Sequence, residues 1–143
     1  DYCKANKTEL EGSFDAIVSN PPFFVNSLKS KGDSRTMARH TDTLSFAELL
    51  RWVSFLLREQ GTFSCIIPSE VLNDFLSESY ICGLSLMHHV AIKTVENKIA
   101  KRHLLCLVKG ACEEDIYEEQ VLKDAEGKPS LWYDEITKAF YLW

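Results

Sequence analysis

The tetrapeptide Asn20-Pro21-Pro22-Phe23 follows an apolar segment, residues 14–19, which predicts a buried β-strand. Each proline lacks a backbone N–H and fixes φ at about −65°, so two in succession prevent a strand from continuing. The chain must therefore leave the sheet at Asn20, at the carboxyl end of the strand. In open α/β sheets, ligands bind at this edge.

The side chains of this turn suit recognition of a planar group that carries an amine. Asn20 has hydrogen-bond donors and an acceptor, the prolines restrict its backbone, and Phe23 adds an aromatic face on which a ring can stack. A surface turn with an Asx-type cap is the alternative, and the tetrapeptide alone also fits that interpretation.

Asn20-Pro21-Pro22-Phe23 resembles the (Asn/Asp/Ser)-Pro-Pro-(Tyr/Phe/Trp) motif of S-adenosylmethionine-dependent amino-group methyltransferases, which closes the fourth strand of a Rossmann-like domain. Residues 28–46, with Met37-Ala38-Arg39-His40-Thr41, resemble the bacterial tRNA adenine-N6 methyltransferases that modify the adenine next to the anticodon of a valine tRNA. Residues 132–142 resemble the carboxyl terminus of that family. The resemblance covers nearly the whole chain and is weakest over residues 112–128.

The order of predicted elements agrees with this resemblance. Ser45 and Glu48 form a capping box at the start of a helix, and Gly61 is expected as its C′ residue. The fold class implied is α/β, the carboxyl-terminal half of a Rossmann-like class I methyltransferase sheet that ends in an antiparallel strand pair. The later elements predicted are a strand over 62–67, a helix over 69–81, strands over 86–95 and 103–109, an edge strand within 116–122 and a helix over 131–141.

No Gly-rich cofactor turn of the G-x-G-x-x-G kind occurs in the chain, which begins at Asp1. In the family that it resembles, this turn and three strands precede the position matching Asp1. We therefore expect residues 1–143 to be the acceptor-side, carboxyl-terminal part of a single methyltransferase domain. The cofactor-binding strands are expected to be absent and the isolated chain to be inactive.

The resemblance implies that the full-length parent transfers a methyl group from S-adenosylmethionine to the exocyclic N6 amine of adenine in tRNA. Asn20 and the Pro21 carbonyl are expected to hold that amine, Pro22 to fix the turn and Phe23 to stack on the base. Asp1 resembles the acidic residue near the cofactor's adenine, and Asn20 is expected to contact the cofactor as well. Further substrate contacts are expected from Phe24, Lys29, Lys31, Arg35, Arg39 and His40.

Charge is unevenly distributed along the chain. The net charge of −5 and the pI near 5.4 are unlike those of an obligate nucleic-acid binder. A second basic cluster nevertheless surrounds the loop between the paired strands, and the acids of residues 113–119 are expected to face away from it. Either a phosphate-binding rim or an ordinary solvated loop fits the cluster, which contains Lys93, Lys98, Lys101 and Arg102.

Cysteine and histidine spacing gives no metal or disulfide pattern. The five cysteines form no paired spacing, which favours a reducing compartment, and the cytoplasm is the expected location. His88 and His89 point to opposite faces of a strand, so no metal site is expected. No apolar run is long enough to span a bilayer, and no membrane partner is expected.

Two other functions remain open. The same tetrapeptide serves methylation of a protein glutamine or of guanine N2 in ribosomal RNA, which would keep the fold and change the acceptor. Alternatively, the isolated chain is a catalytically inert module that binds RNA or self-associates. A parallel sheet cut beside its fourth strand exposes an apolar edge, and we expect the chain to pair with another copy there.

Overall fold

The computed structural model describes residues 7–21 and 45–140. These residues form one five-stranded sheet with helices between and after the strands. In chain order the elements are α1 (Lys7–Leu10), β1 (Phe14–Ser19), α2 (Phe46–Leu56), β2 (Leu57–Pro68), a 3₁₀ turn (Ser69–Val71), α3 (Leu72–Ile81), β3 (Leu84–Lys93), β4 (Arg102–Lys109), β5 (Ile116–Val121) and α4 (Leu131–Thr137).

The strands lie in the order β1-β2-β4-β3-β5. β1 and β2 are parallel, and β4 is antiparallel to both β2 and β3, so the predicted antiparallel pair is confirmed. β5 adds a further strand parallel to β3, with Tyr117 opposite His89. The α/β fold class is therefore confirmed, and the predicted edge strand lies beyond the antiparallel pair.

Helices α2 and α3 cover one face of the sheet. Leu50 and Val53 of α2 and Phe75 of α3 are buried against the strands, and the Phe46 and Phe75 rings meet edge to face at 5.4 Å. Burying each such side chain stabilises the fold by roughly 1.5–3 kcal/mol. The strand residues of this core, which alternate along each strand as the pleat requires, are Leu57, Phe63, Cys65, Ile67, Leu84, Leu105 and Leu107.

The predicted start of α2 is confirmed, and its predicted end is wrong. The Ser45 hydroxyl accepts a hydrogen bond from the Glu48 N–H at 3.2 Å, and the Glu48 carboxylate accepts one from the Ser45 N–H. However, α2 ends at Leu56, so Gly61 is not its C′ residue. Gly61 belongs to β2, in an irregular stretch where more residues of β2 than of β1 are accommodated.

β1 occurs where predicted, but the expectation that it is buried is wrong. Val18 is 81% exposed and Phe14 is 41% exposed, whereas Ile17 packs against the core. Among the described residues, β1 pairs with β2 alone, and the face of the sheet opposite α2 and α3 carries no helix. Side chains on that uncovered face therefore remain accessible.

Candidate functional site at the carboxyl edge of the sheet

Asn20 directly follows β1 and lies at the carboxyl end of this strand, as predicted. Its side chain is exposed, and Pro21 next to it is half-buried. The Asn20 amide forms no hydrogen bond with any residue within 7–21 or 45–140. Its two N–H donors and its carbonyl oxygen therefore remain available to a ligand.

The other residues predicted for the site lie outside the described ranges, and their roles stay predictions. They are Asp1, Pro22, Phe23, Phe24, Lys29, Lys31, Arg35, Arg39 and His40.

Three further parts of the chain meet at the same edge of the sheet. β2 runs parallel to β1 and ends at Pro68, which lies opposite Arg102 at the start of β4. The loop between β3 and β4, residues 94–101, therefore lies at this edge, and so does the end of β5 at Val121. We call this the Asn20 edge and define it as Asn20, Ser69, residues 94–102 and residues 121–123.

Ser69 begins a chain of hydrogen bonds that runs beneath this edge. The Ser69 hydroxyl donates to the Ala100 carbonyl at 2.7 Å, so it must accept from Nε2–H of His103, which lies 2.9 Å away. Nδ1 of His103 then accepts from Nε2–H of His89. The Tyr117 ring meets His89 edge to face at 5.0 Å. The two histidines thus join β4 and β3 to the turn that begins α3.

Both imidazoles are held neutral by their surroundings. Burial lowers the pKa of His103, and the neighbouring His89 lowers it further. Burial also lowers the pKa of His89, with a smaller contribution from His88. These groups therefore position the Ser69 turn and the adjoining loop.

His88 and His89 point to opposite faces of β3, as predicted. His88 lines the uncovered face and lies 2.8 Å from a Glu118 carboxylate oxygen, whereas His89 contacts His103 on the covered face. Sequence reasoning missed the contact between His89 and His103. The available signal was the expected antiparallel pairing of their two strands, which brings alternate residues of both onto one face.

A cavity of about 380 Å³ lies against the uncovered face of the sheet and reaches Asn20. Its wall is mostly apolar, so a nonpolar surface adjoins the exposed amide of Asn20. A planar ring with a polar edge has complementary chemistry. The lining residues are Val18, Ser19, Asn20, Ser64, Cys65, Ile66, His88, Val90, Leu104, Leu105 and Cys106.

The described ranges were also compared with two other kinds of site. They contain no group of three or more His, Cys, Asp or Glu side chains placed to hold a metal ion. No helix in residues 7–21 or 45–140 is long and apolar enough to cross a membrane.

Three relatives match almost all of the chain and share one name, tRNA1(Val) (adenine(37)-N6)-methyltransferase. The relative from Shewanella frigidimarina (strain NCIMB 400) is 32% identical over 99% of this chain and 61% of its own length. That from Shewanella loihica (strain ATCC BAA-1088 / PV-4) is 39% identical over 95% of the chain and 58% of its length. That from Phocaeicola vulgatus is 39% identical over 99% and 59%. The chain thus spans about three fifths of the length of these relatives.

Solved structures show the same fold at lower identity. A predicted O-methyltransferase, Atu636 of Agrobacterium tumefaciens, matches the whole chain and 60% of its own with a TM-score of 0.71 at 13% identity. A DNA modification methylase of Thermus thermophilus matches 94% of the chain and 57% of its own with a TM-score of 0.53 at 16% identity. No protein-family model matches the chain. Over nearly its whole length, the chain is a homologue of the tRNA (adenine-N6) methyltransferases and has the fold of a class I methyltransferase.

Proposed function

We propose that the protein containing this chain transfers a methyl group from S-adenosylmethionine to the N6 amine of adenine in tRNA. The observation that carries the proposal is the exposed, unbonded Asn20 amide at the carboxyl end of β1. The shared name of the three relatives supports the choice of adenine in tRNA as the acceptor. A cytoplasmic location, where tRNA is modified, belongs to the same proposal.

Asn20 and Pro21 act on the acceptor amine. The lone pair of the adenine N6 nitrogen is conjugated into the ring, so this amine is a weak nucleophile. The Asn20 side-chain oxygen and the Pro21 carbonyl oxygen accept hydrogen bonds from its two N–H groups, which draws the nitrogen toward tetrahedral geometry. The lone pair is then directed at the methyl donor, and positioning supplies much of the rate acceleration.

S-adenosylmethionine, when bound, supplies a methyl group that its sulfonium sulfur already activates for transfer. The donors of the Asn20 amide fit a second role toward this cofactor, and Asp1 is proposed to hold the cofactor's adenine. The Thermus methylase of the same fold has a structure in complex with S-adenosylmethionine. The amine loses one proton as the N–C bond forms, and solvent accepts this proton.

The target adenine must leave its stacked position to reach Asn20. Phe23 is proposed to stack on the extruded base, with Phe24 beside it, while the exposed amide holds its polar edge. The cations proposed to hold the RNA on this side are Lys29, Lys31, Arg35, Arg39 and His40. Methylation of a protein glutamine or of guanine N2 in ribosomal RNA needs the same amide geometry, so the acceptor must be tested directly.

The test offers labelled S-adenosylmethionine and separate pools of tRNA, ribosomal RNA and protein to the whole protein. We expect label in tRNA as N6-methyladenosine, and a fall in kcat of about 10²–10³-fold in Asn20→Ala. Asn73→Ala removes another exposed asparagine amide, on α3, and is expected to retain full activity. Label in protein glutamine or ribosomal guanine would replace the substrate, and label in no pool would refute the proposed activity.

We propose that the isolated chain, residues 1–143, is inactive and self-associates along β1. β1 pairs on one side alone among the described strands, and its Val18 and Phe14 side chains are exposed. Such an edge favours pairing with a second copy. Sedimentation at micromolar concentration is expected to show dimers or larger species, and a stable monomer would contradict the proposal.

A further inference from the structure

Cations that lack an ion-pair partner are concentrated at the Asn20 edge. Elsewhere in the described ranges, Arg58 pairs with Asp15 and Lys109 lies 3.8 Å from Glu59. Lys93, at the end of β3, is neutralised by Glu119 of β5. The described cations without such a partner are Arg51, Lys98, Lys101, Arg102 and Lys123, and all except Arg51 lie at the Asn20 edge.

The backbone that carries these cations is held by hydrogen bonds. In the β3–β4 loop, the Lys101 N–H donates to the Ile92 carbonyl at 3.1 Å, and the Lys101 carbonyl accepts from the Ser69 N–H at 3.2 Å. The Lys123 N–H donates to the Thr94 carbonyl at 3.0 Å, which fastens the segment after β5 to the same loop. Lys98, Lys101, Arg102 and Lys123 are exposed, so fixed backbone presents four accessible side chains. We call these four residues the basic ridge.

Nearby carboxylates have other partners or other positions. Asp124 accepts hydrogen bonds from the N–H groups of Glu126 and Lys128, at 2.9 Å each, and Glu126 pairs with Lys128. Residues 113–115 precede β5 and therefore lie toward the opposite edge, as predicted. The expectation that the whole acidic run faces away is wrong for Glu118 and Glu119, because they lie within β5 and bind His88 and Lys93.

Two acids remain close to the basic ridge. Glu96 belongs to the β3–β4 loop and is exposed, and Glu70 lies in the 3₁₀ turn after β2. Neither forms an ion pair with a described cation. The ridge therefore retains a local excess of positive charge although the whole chain carries a net charge of −5.

We propose that the basic ridge binds the sugar-phosphate backbone of the RNA whose adenine is held at Asn20. The inference rests on the proposed function and adds the surface that orients the RNA. Adjacent strands are about 4.8 Å apart, so β4 and β5, two and four strands from β1, place the ridge roughly 10–20 Å from Asn20. Contacts at that distance engage phosphates flanking the extruded base, while Asn20 contacts the base itself.

Phosphate contacts have a measurable signature. Each one releases condensed counterions, so it adds about 0.7–0.9 to the slope of log affinity against log salt concentration. Loss of a ridge cation is expected to raise KM for tRNA and leave kcat nearly unchanged, because no ridge residue contacts the reacting amine. Loss of Asn20 acts in the opposite way.

The experiment measures tRNA binding by the whole protein over a series of salt concentrations. Lys101→Gln/Arg102→Gln is expected to weaken binding at low salt about tenfold or more and to lower the salt slope by roughly 1–2. Arg51→Gln/Lys138→Gln is the matched control, since it also removes two exposed cations, from α2 and from the end of α4. Lys98→Gln/Lys123→Gln is a second test that leaves β4 unaltered, and equal thermal unfolding of the variants excludes misfolding.

The outcomes separate this inference from the proposed function. If the parent protein forms N6-methyladenosine in tRNA but both ridge variants bind with the affinity and salt slope of the control, the ridge inference is overturned. If the parent methylates nothing but the ridge variants still lose tRNA affinity, the ridge stands and the activity does not. If the parent neither methylates nor binds tRNA, both are overturned.

Discussion

His89 donates a hydrogen bond from Nε2 to Nδ1 of His103 at 2.7 Å, between two adjacent antiparallel strands. Nε2–H of His103 is already engaged by Ser69, so its Nδ1 must stay unprotonated to accept this bond. His103 is 7% exposed, and a charge there is poorly solvated. Neutral histidines are therefore part of what holds the β3–β4 loop against the start of α3.

Acidification is expected to destabilise the fold through this pair. Because the folded pKa of each histidine is below its unfolded value of about 6.5, the unfolded chain binds more protons once the pH falls below that value. The contribution is fully present above about pH 6.5 and is lost as the pH falls toward the folded pKa. Each unit of depression corresponds to about 1.4 kcal/mol.

Urea unfolding at several pH values between about 7.5 and 5.5 measures this loss. The His89→Gln/His103→Gln variant is expected to be less stable than the parent near neutral pH but to lose less stability on acidification. A variant whose stability falls as steeply as that of the parent would contradict the assignment to this pair.

Gly61 is expected to resist substitution because its surroundings leave no room for a side chain. A Cβ atom there would lie 2.9 Å from the Arg58 carbonyl oxygen and 3.1 Å from the Phe14 carbonyl oxygen. Both contacts are with backbone, which cannot move aside as a flexible side chain can. Gly61→Ala is therefore expected to destabilise the fold by about 1–3 kcal/mol in urea unfolding.

Gly83 provides the control, because it has a different requirement for glycine. It adopts φ of +76° and has nothing within 4 Å of a Cβ position. Gly83→Ala is expected to be destabilising through backbone strain, and Gly83→Asn to recover much of the loss, since asparagine tolerates left-handed φ. Gly61→Asn is expected to be worse than Gly61→Ala, and a recovery there would refute the steric explanation.

Features that depend on a few consecutive residues were predictable from the sequence. The Ser45–Glu48 capping box was recognised by its spacing, and Asn20 by the prolines that stop β1. The two antiparallel strands were recognised by their apolar composition, at positions within two residues of those observed. In each case the deciding interaction lies within one element or its flanking turn.

Features that depend on pairing between distant segments were not predictable in this way. A glycine after an apolar helix fits a C′ position, and only the pairing of β1 with β2 shows that Gly61 belongs to a strand irregularity. Likewise, Lys123 lies beyond β5, so its place beside the β3–β4 loop depends on the parallel pairing of β5 with β3. The exposure of β1 depends on which elements cover the sheet.

Ser130 is expected to matter more for stability than Ser45, although both are helix N-caps. The buried Ser130 hydroxyl donates to the Val121 carbonyl at 2.5 Å and accepts from the Tyr133 N–H at 3.1 Å. Ser45 is exposed, so water replaces part of what its loss removes. We expect Ser130→Ala to lower the free energy of unfolding by about 1–3 kcal/mol, against about 1 kcal/mol for Ser45→Ala. Equal losses in urea unfolding would contradict the role assigned to burial.

Cys65 and Cys106 report which face of the sheet is covered. Ser64 lies opposite Cys106, so Cys65 on β2 and Cys106 on β4 project from opposite faces. Cys65 is 4% exposed beneath the helices, whereas Cys106 is half-buried beside the cavity. Burial, with a smaller contribution from Cys106, raises the pKa of the Cys65 thiol to about 12. Its thiolate fraction at about pH 8 is then on the order of 10⁻⁴.

Alkylation of the folded chain with iodoacetamide, followed by mass spectrometry of the peptides, is expected to modify Cys106 long before Cys65. In urea the two thiols lose their difference in burial, and their rates are expected to converge within about threefold. Comparable rates in the folded chain would contradict the assignment of α2 and α3 to the Cys65 face. Protection of Cys106 in the longer protein but not in the isolated chain would identify the uncovered face as a packing surface, because the thiol's own strand environment is the same in both.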